Sequence, residues 1–414
     1  MSSRRFNSEV LSKLDSRGFL YQLTDEKALD DLLCSKSNGV VFYIGCDPTA
    51  PSLHVGHLLW VKLVNELQNA GLTPIIIMGG ATGKIGDPTW KDQQRVMLRL
   101  DVIEQNIAAI TAKLSTLIRF GDGPNSAILL NNDTWISKLN YMDFLREYGP
   151  LFSVNKMLAM DSVSTRLERQ QHLSFLEFNY MLLQAYDFLY LFENYECVIQ
   201  LGGADQWSNM IFGVDLIRRK TGKLAYGVSI PLLTNFNGQK MGKTEQGTVW
   251  LDENLTSTFE FWQYWRNVDD RDVAKFLKLF SDMPIEEIDK CESLVGTAGI
   301  NDMKILLADS VTSFLYPSAD LESIKATAGG LFGDGAHGDV QDIETFVAER
   351  GSSVCKVLVE TALAQSITAA KRLIDGHGVR IDGTVIESYD AIIDHNCLLS
   401  AGRKKFVKVT VKEG

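Results

Sequence analysis

Two short clusters carry residue types that could handle a moving negative charge. The first, His54-Val55-Gly56-His57, follows a strand-like run (Val40 to Ile44), a break at Gly45 and the turn residues Asp47-Pro48-Thr49. That order reads as strand, turn, helix. With Ser52 as the N-cap, both histidines fall on one face of the first helical turn, where unpaired N–H groups and the helix dipole attract anions. His54 and His57 are therefore candidate phosphate ligands, and Gly56 leaves room for a base or ribose to approach the helix. Taken alone, the pair reads equally as two solvated or internally satisfied histidines. The second cluster, Lys240-Met241-Gly242-Lys243-Thr244, lies in a loop marked by Asn235, Asn237 and Gly238. Two lysines flanking a glycine suit a polyphosphate whose charge is being redistributed.

The elements that must position these clusters follow from apolar periodicity. A helix over Leu53–Ala70, ended by Gly71, precedes a buried strand at Thr73–Met78 and a glycine-rich loop from Gly79 to Asp87. Strand, helix and strand with glycine loops at the strand ends form the doubly wound nucleotide-binding pattern. The glycine spacing is not Gly-x-Gly-x-x-Gly and no Walker lysine follows, which removes the dinucleotide and P-loop readings. A helix over Leu100–Phe120, a strand over Ala127–Asn131 and a mostly helical insertion from Trp135 to about Gln170 come next. The pattern then predicts one long helix over Phe175–Glu193, with Tyr180, Gln184 and Asp187 at i, i+4 and i+7. That helix is otherwise densely apolar, so its polar stripe is expected to line a pocket. Cys197–Leu201 reads as a strand, and Gly202-Gly203-Ala204-Asp205-Gln206 as a glycine turn into a helix. Beyond Thr256 the chain turns helical and aromatic to about Leu315, a glycine-rich passage resembles a linker, and a small unit closes the chain.

At 414 residues, 45% hydrophobic and 22% charged, the sequence suits a globular chain of two or three domains, and no apolar run reaches the length of a membrane span. Arg4, Arg5 and nearby serines resemble a transit peptide, but Glu9 and Asp15 argue against one, so the N-terminus is expected to be mature sequence. The six cysteines form no Cys-x-x-Cys pair, which predicts reduced thiols in a cytoplasmic protein and no metal site. The net charge of −11 speaks against nonspecific coating of nucleic acid, while a local basic stripe remains compatible with RNA.

Together, the histidine turn and the lysine loop resemble the two signature motifs of the class I aminoacyl-tRNA synthetases. The residues between them narrow the resemblance to the bacterial-type tyrosyl-tRNA synthetases. It implies a Rossmann-like, doubly wound α/β catalytic domain at 1–250, with a dimer-forming helical insertion at about 135–170 and the signature loop at 235–250. An α-helical anticodon-side domain would follow at 251–325, a linker at 326–345, and a small α+β RNA-binding domain at 346–414. The implied partners are L-tyrosine, ATP with Mg2+, tRNA(Tyr) and a second copy of the chain.

The same resemblance assigns roles. His54, His57 and Thr49 would stabilise the phosphates, with Lys240 and Lys243 closing over pyrophosphate and Lys91 and Arg95 assisting from the opposite side. The last two read equally as an exposed basic helix start. Gly45, Asp47, Gly56, Gly203 and Asp205 would complete the ATP site, Asp205 on the ribose. Tyr43 and Asp187 would bond the substrate phenol, Asp87, Tyr180 and Gln184 its ammonium, and Gln206 its carboxylate. A buried Asp187 is costly without partners, which the phenol would supply. Lys371, Arg372, Arg380, Arg403, Lys404 and Lys405 would meet RNA in a segment that carries nine basic and seven acidic residues from Gly351 onward, 9 − 7 = +2.

Some positions depart from the family pattern. Gly242 and Thr244 stand where serines are common, Trp60 and Trp90 where smaller residues are expected, and Asn179 where threonine is usual; Ile44 offers the ribose no polar tip. The rival readings are a tryptophanyl enzyme, a small-metabolite nucleotidyltransferase, which would leave 255–414 without a purpose, and an RNA-binding protein without catalysis.

Overall fold

The long apolar runs become the middle of a parallel sheet. The computed structural model describes residues 4–36, 38–87, 98–244, 247–332, 345–381, 384–402 and 405–412. Lys91, Arg95, Trp90, Arg403 and Lys404 lie outside that set. The chain divides into two compact units, Met1–Pro317 and Ser318–Gly414.

In the first unit six strands, β1 (Gln22–Leu23), β2 (Val41–Cys46), β3 (Thr73–Met78), β4 (Ile128–Asn131), β5 (Cys197–Gly203) and β6 (Tyr226–Ile230), lie in the order β1-β6-β5-β2-β3-β4. All neighbours run parallel except β1, which lies antiparallel on β6. Burial on both faces explains why β2 and β3 read as unbroken apolar runs rather than alternating ones. The strand order reverses between β2 and β5, so a crevice opens beyond their C-terminal ends. Register sets Tyr43 beside Ile75 on one side and Gln200 on the other.

The helix after β2 begins later than its pattern suggests. A 3-10 turn over Val55–His57 precedes an α-helix over Leu58–Asn69. Ser52 does not cap it: its buried hydroxyl donates to the Leu53 carbonyl at 2.9 Å, and the His54 side chain takes the capping role instead. A short helix over Thr82–Ile85 and a long one over Leu100–Leu117 follow, and the insertion holds four short α-helices, Asp133–Ile136, Tyr141–Glu147, Val154–Leu158 and Asp161–Glu168.

The pocket helix, Phe175–Tyr195, starts at a capping box in which the Glu177 amide donates to the Ser174 hydroxyl and the Ser174 amide donates to the Glu177 carboxylate. Arg166, reaching in from the insertion, pairs with Glu177 at 3.1 Å with both side chains almost fully buried. Removing either partner would strand a buried charge, so this pair anchors the helix start.

The helices Thr258–Arg266, Val273–Phe280 and Ile300–Leu315 belong to the same compact unit as the sheet. Phe261, Trp262, Trp265 and Phe276 form their interior, and Arg17 ties the N-terminal segment to them by donating to the carbonyls of Lys278, Ser281 and Met283.

In the second unit, a helix over Leu321–Phe332 occupies the start of the stretch expected to be linker; 333–344 lie outside the described residues. A five-stranded sheet follows in the spatial order Thr384–Val385, Val379–Ile381, Cys397–Ala401, Lys405–Lys412 and Thr345–Glu349. The helices Val354–Glu360 and Ile367–Asp375 share its core through Val354, Leu358 and Ile374, packed with Val379, Leu399 and Val409. The unit is α+β.

Candidate active site

The crevice beyond β2 and β5 holds a cavity of 380 Å³. Its lining unites residues from six stretches of sequence: Tyr43, Gly45, Asp47 and Thr49; Gly56 with His54 and His57; Asp87; Tyr180, Gln184 and Asp187; Gly203, Asp205 and Gln206; and Lys240. Trp60 and Ile44, both nearly buried, add apolar wall. Of Lys243 only the backbone is described, in a short strand over Lys243–Thr244.

The histidine turn is a pair of hydrogen-bond donors with their protons fixed in place. His54 Nδ1 accepts the Gly56 amide at 3.1 Å, and His57 Nδ1 accepts the His54 amide at 3.0 Å. A ring nitrogen that accepts a backbone N–H carries no proton, so each proton sits on Nε2 and each ring offers Nε2–H to an anion. The rings lie with centroids 4.0 Å apart. Burial, reinforced by the adjacent His54, pushes the His57 pKa down to about 3, which keeps that ring a neutral donor at physiological pH. The expected gap above Gly56 is taken by protein in this conformation: a Cβ there would meet the His54 ring at 2.8 Å and the Met241 carbonyl at 3.1 Å.

The opposite end is built to hold a polar group out of water. Asp187 is buried, its two oxygens accepting from Trp135 Nε1 at 2.7 Å and Asn132 Nδ2 at 3.0 Å. Burial raises its pKa to about 7, against the lowering effect of those two donors and with a smaller contribution from Asp47. The Tyr43 hydroxyl and the Oε1 atoms of Gln184 and Gln200 are buried with no hydrogen-bond partner in the protein. Orphaned polar atoms cost about 1–3 kcal/mol each when buried, and all three belong to side chains that line the cavity, which points to a ligand's polar atoms there.

Between the two ends lies an acidic stretch. Tyr180 donates to Asp47 at 2.9 Å, and burial together with Asp47 and Asp87 holds its phenol protonated. Asp47 also accepts from Thr82 at 2.7 Å, and Gly79 is bare where a Cβ would sit 2.0 Å from that carboxylate. Gln206 donates to Asp87 at 2.5 Å and accepts from Asn209 at 3.0 Å. Asp205, its pKa raised by burial and held back by Lys240, stands 3.8 Å from the Lys240 ammonium. Such a chamber offers carboxylates to a cation and Nε2–H groups and a lysine to an anion. Among the described residues no group of three His, Cys, Asp or Glu side chains forms a metal cage.

Asn132, Trp135 and Gln200 were not legible as site residues. Asn132 and Trp135 reach Asp187 across 55 and 52 residues of chain, with no motif to announce them. Gln200 carried a signal, a polar side chain inside the apolar run Cys197–Leu201 of a strand buried on both faces. In the second unit Lys371, Arg372, Arg380 and Lys405 are exposed.

The comparisons with known proteins agree with this geometry. The family model for class I tRNA synthetases (W and Y) matches residues 35–332. The chain is 46% identical over 404 residues to the tyrosine–tRNA ligase of Novosphingobium aromaticivorans, covering 97% of this chain and 98% of that one. To the tyrosine–tRNA ligase of Rickettsia conorii it is 45% identical over 417 residues, covering 98% and 100%. A C-terminally truncated mitochondrial tyrosyl-tRNA synthetase of Aspergillus nidulans superposes with a TM-score of 0.69 at 30% identity, over 80% of this chain and 95% of that one. The chain belongs to the class I tRNA synthetases of the tryptophan and tyrosine family.

Proposed function

We infer that the chain is a tyrosine–tRNA ligase, activating L-tyrosine with ATP and passing it to tRNA(Tyr). One observation carries the choice of amino acid: Asp187 and Tyr43 present a buried acceptor and an unpaired hydroxyl at the closed end of a cavity whose other end holds two Nε2–H donors and a lysine. A phenol hydroxyl donating to Asp187 and accepting from Tyr43 satisfies both. A site built this way rejects the analogue lacking the hydroxyl, because its buried polar groups are then left unpaired; tyrosyl-tRNA synthetases are the standing example.

The substrate ammonium is held by Asp87, Tyr180 and Gln184, and its carboxylate is guided by Gln206. That carboxylate oxygen attacks the α-phosphorus in line; the new C–O–P bond forms as the bond to the β-phosphate oxygen breaks and pyrophosphate leaves. No proton moves in this step, so the protein's task is positioning and charge stabilisation. His54, His57, Thr49 and Lys240 face the phosphates, Lys243, Lys91 and Arg95 assist, and Asp205 accepts from the ribose beside Gly45, Gly56 and Gly203. The 3′-terminal ribose hydroxyl of tRNA then attacks the tyrosyl carbonyl and AMP departs. With Asp47, Asp87, Asp187 and Asp205 all facing the cavity, the nucleotide enters with its charge neutralised, as a Mg2+ complex.

The remaining roles rest on more distributed observations. Of 17 exposed large apolar side chains among the described residues, seven fall between 141 and 176, including Met142 and Phe175, each more than two-thirds exposed; this supports a homodimer through the insertion. The helices of 251–317 serve as the anticodon-side part of the enzyme, and exposed Lys371, Arg372, Arg380 and Lys405, with Arg403 and Lys404, make the second unit an RNA-binding domain. Cys34, Cys46, Cys197, Cys291 and Cys355 are in no disulfide, which suits the cytoplasm.

Amino-acid-dependent exchange of labelled pyrophosphate into ATP, run with tyrosine, phenylalanine and tryptophan on the native protein and on Asp187→Ala, tests the reading. Exchange with tyrosine alone, collapsing in the variant, is the expected result. Exchange with tryptophan would reassign the substrate, and no exchange with any amino acid would overturn the ligase reading.

A further inference from the structure

Gly242 sits where three independent contacts meet. Its carbonyl accepts the Val249 amide at 3.0 Å, the Val249 carbonyl accepts the Val55 amide at 2.9 Å, and the Leu251 amide donates to the Leu53 carbonyl at 2.8 Å. With the bridge between His54 and Trp250, this makes a continuous backbone ladder from the lysine loop to the histidine turn. On its other side, the Gly242 backbone faces the Tyr264 hydroxyl, on the helix Thr258–Arg266, and lowers a phenol pKa that burial raises. Trp265, the next residue, and Trp262, two before it on that helix, are buried, so the hydroxyl projects from a rigid support.

The third contact is defined by a missing atom. A Cβ on Gly242 would lie 2.9 Å from His54 Nδ1 and 3.2 Å from Cε1, and the residue has φ +119°, which L side chains rarely adopt. Nδ1 is also the atom that accepts the Gly56 amide and so directs the His54 Nε2–H. Anything larger than hydrogen at 242 must displace either the loop or the ring that points a proton into the cavity.

We propose that Gly242 is a positioning residue for the phosphate end of the site: its bare Cα lets the loop dock on the His54 ring, and Tyr264 and Val249 clamp it there, so that Lys240 and His54 are set against each other before nucleotide arrives. The inference rests on the assignment of His54 and Lys240 to the phosphates. It makes Gly242 a requirement of this loop conformation rather than a tolerated replacement for serine, and it makes Tyr264 the link through which the helices of 258–315 act on the loop.

The test uses the full-length protein and the variants Gly242→Ala, Tyr264→Phe, His54→Ala and Gly242→Ala/His54→Ala, with pyrophosphate exchange for rate and equilibrium dialysis for tyrosine affinity. Gly242→Ala is expected to lower kcat by about 30-fold or more and Tyr264→Phe by about 3–10-fold, with tyrosine Kd within about twofold of the parent. In the His54→Ala background, Gly242→Ala should add less than about threefold, because the ring it displaces is gone. Parent-like kcat in Gly242→Ala, or a full additional loss in the His54→Ala background, overturns the proposal. Should Gly242→Ala fail to fold, Tyr264→Phe decides, since it removes one oxygen and no packing, and parent-like kcat there overturns it. If His54→Ala itself leaves exchange unchanged, the phosphate assignment fails first and takes the proposal with it.

Discussion

The two ends of the cavity solve opposite problems. At the closed end, Asp187, Tyr43, Gln184 and Gln200 are carried by a long helix and two central strands, with Asp187 held by Asn132 and Trp135 and the other three each bearing a buried oxygen that has no protein partner. At the open end, His54, His57 and Lys240 come from a 3-10 turn and a loop, with the Lys240 side chain about half exposed. The difference follows from what each must do. Recognition of one hydroxyl gains from a rigid site in which a wrong ligand leaves a buried group unpaired. Stabilisation of departing phosphate needs donors that can open to release product.

Substitutions at the two ends should therefore fail differently. The largest effect is expected from Asp187→Ala, which leaves Asn132, Trp135 and the incoming phenol without their acceptor: kcat/KM for tyrosine should fall by about 10²–10³-fold or more, while KM for ATP stays near the parent value. Lys240→Ala should lower kcat by about 10²–10³-fold with tyrosine Kd unchanged, as for loss of one donor at a developing charge. A Lys240→Ala variant that bound tyrosine poorly would show that the ends are not separable. Tyr43→Phe, which removes one neutral hydrogen bond, should reduce discrimination between tyrosine and phenylalanine by about 3–10-fold, read from the ratio of exchange rates.

The smallest effect is on stability, and its sign differs between the ends. His57, held down to about 3 in the fold, binds fewer protons there than in the unfolded chain, so its contribution is lost as pH falls from 6.5 toward 3. Asp187, raised to about 7, binds more protons in the fold, so its contribution is greatest at low pH and declines as pH rises from 3.8 to 7. Thermal midpoints across pH 4–8 should show His57→Gln gaining on the parent toward acid and Asp187→Asn gaining on it toward neutrality. Parallel curves for parent and variants would remove the electrostatic part of the comparison.

Legibility in the sequence followed the same divide. The open end is built from short runs of chain, so His54, His57 and Lys240 stood out as candidates by type and spacing, while Asp205 took its role from the family resemblance. The closed end was legible only where one helix face displayed it, at Tyr180, Gln184 and Asp187. Capping was misread at Ser52 because residue type favoured serine, while the hydroxyl found a carbonyl and His54 Nδ1 was better placed to accept the amide. Gly242 read only as a departure from the usual serine, since a sequence does not show what lies 2.9 Å from an absent Cβ.

The sequence by itself determined the doubly wound class, the two charged motifs and the polar stripe of the pocket helix, because periodicity and local spacing are properties of neighbouring residues. Only the tertiary structure decided which partners hold Asp187, that three side chains with unpaired polar atoms line one cavity, and that the lysine loop is laddered to the histidine turn. Those contacts join segments more than fifty residues apart, and their geometry is set by strand order and packing rather than by any local pattern.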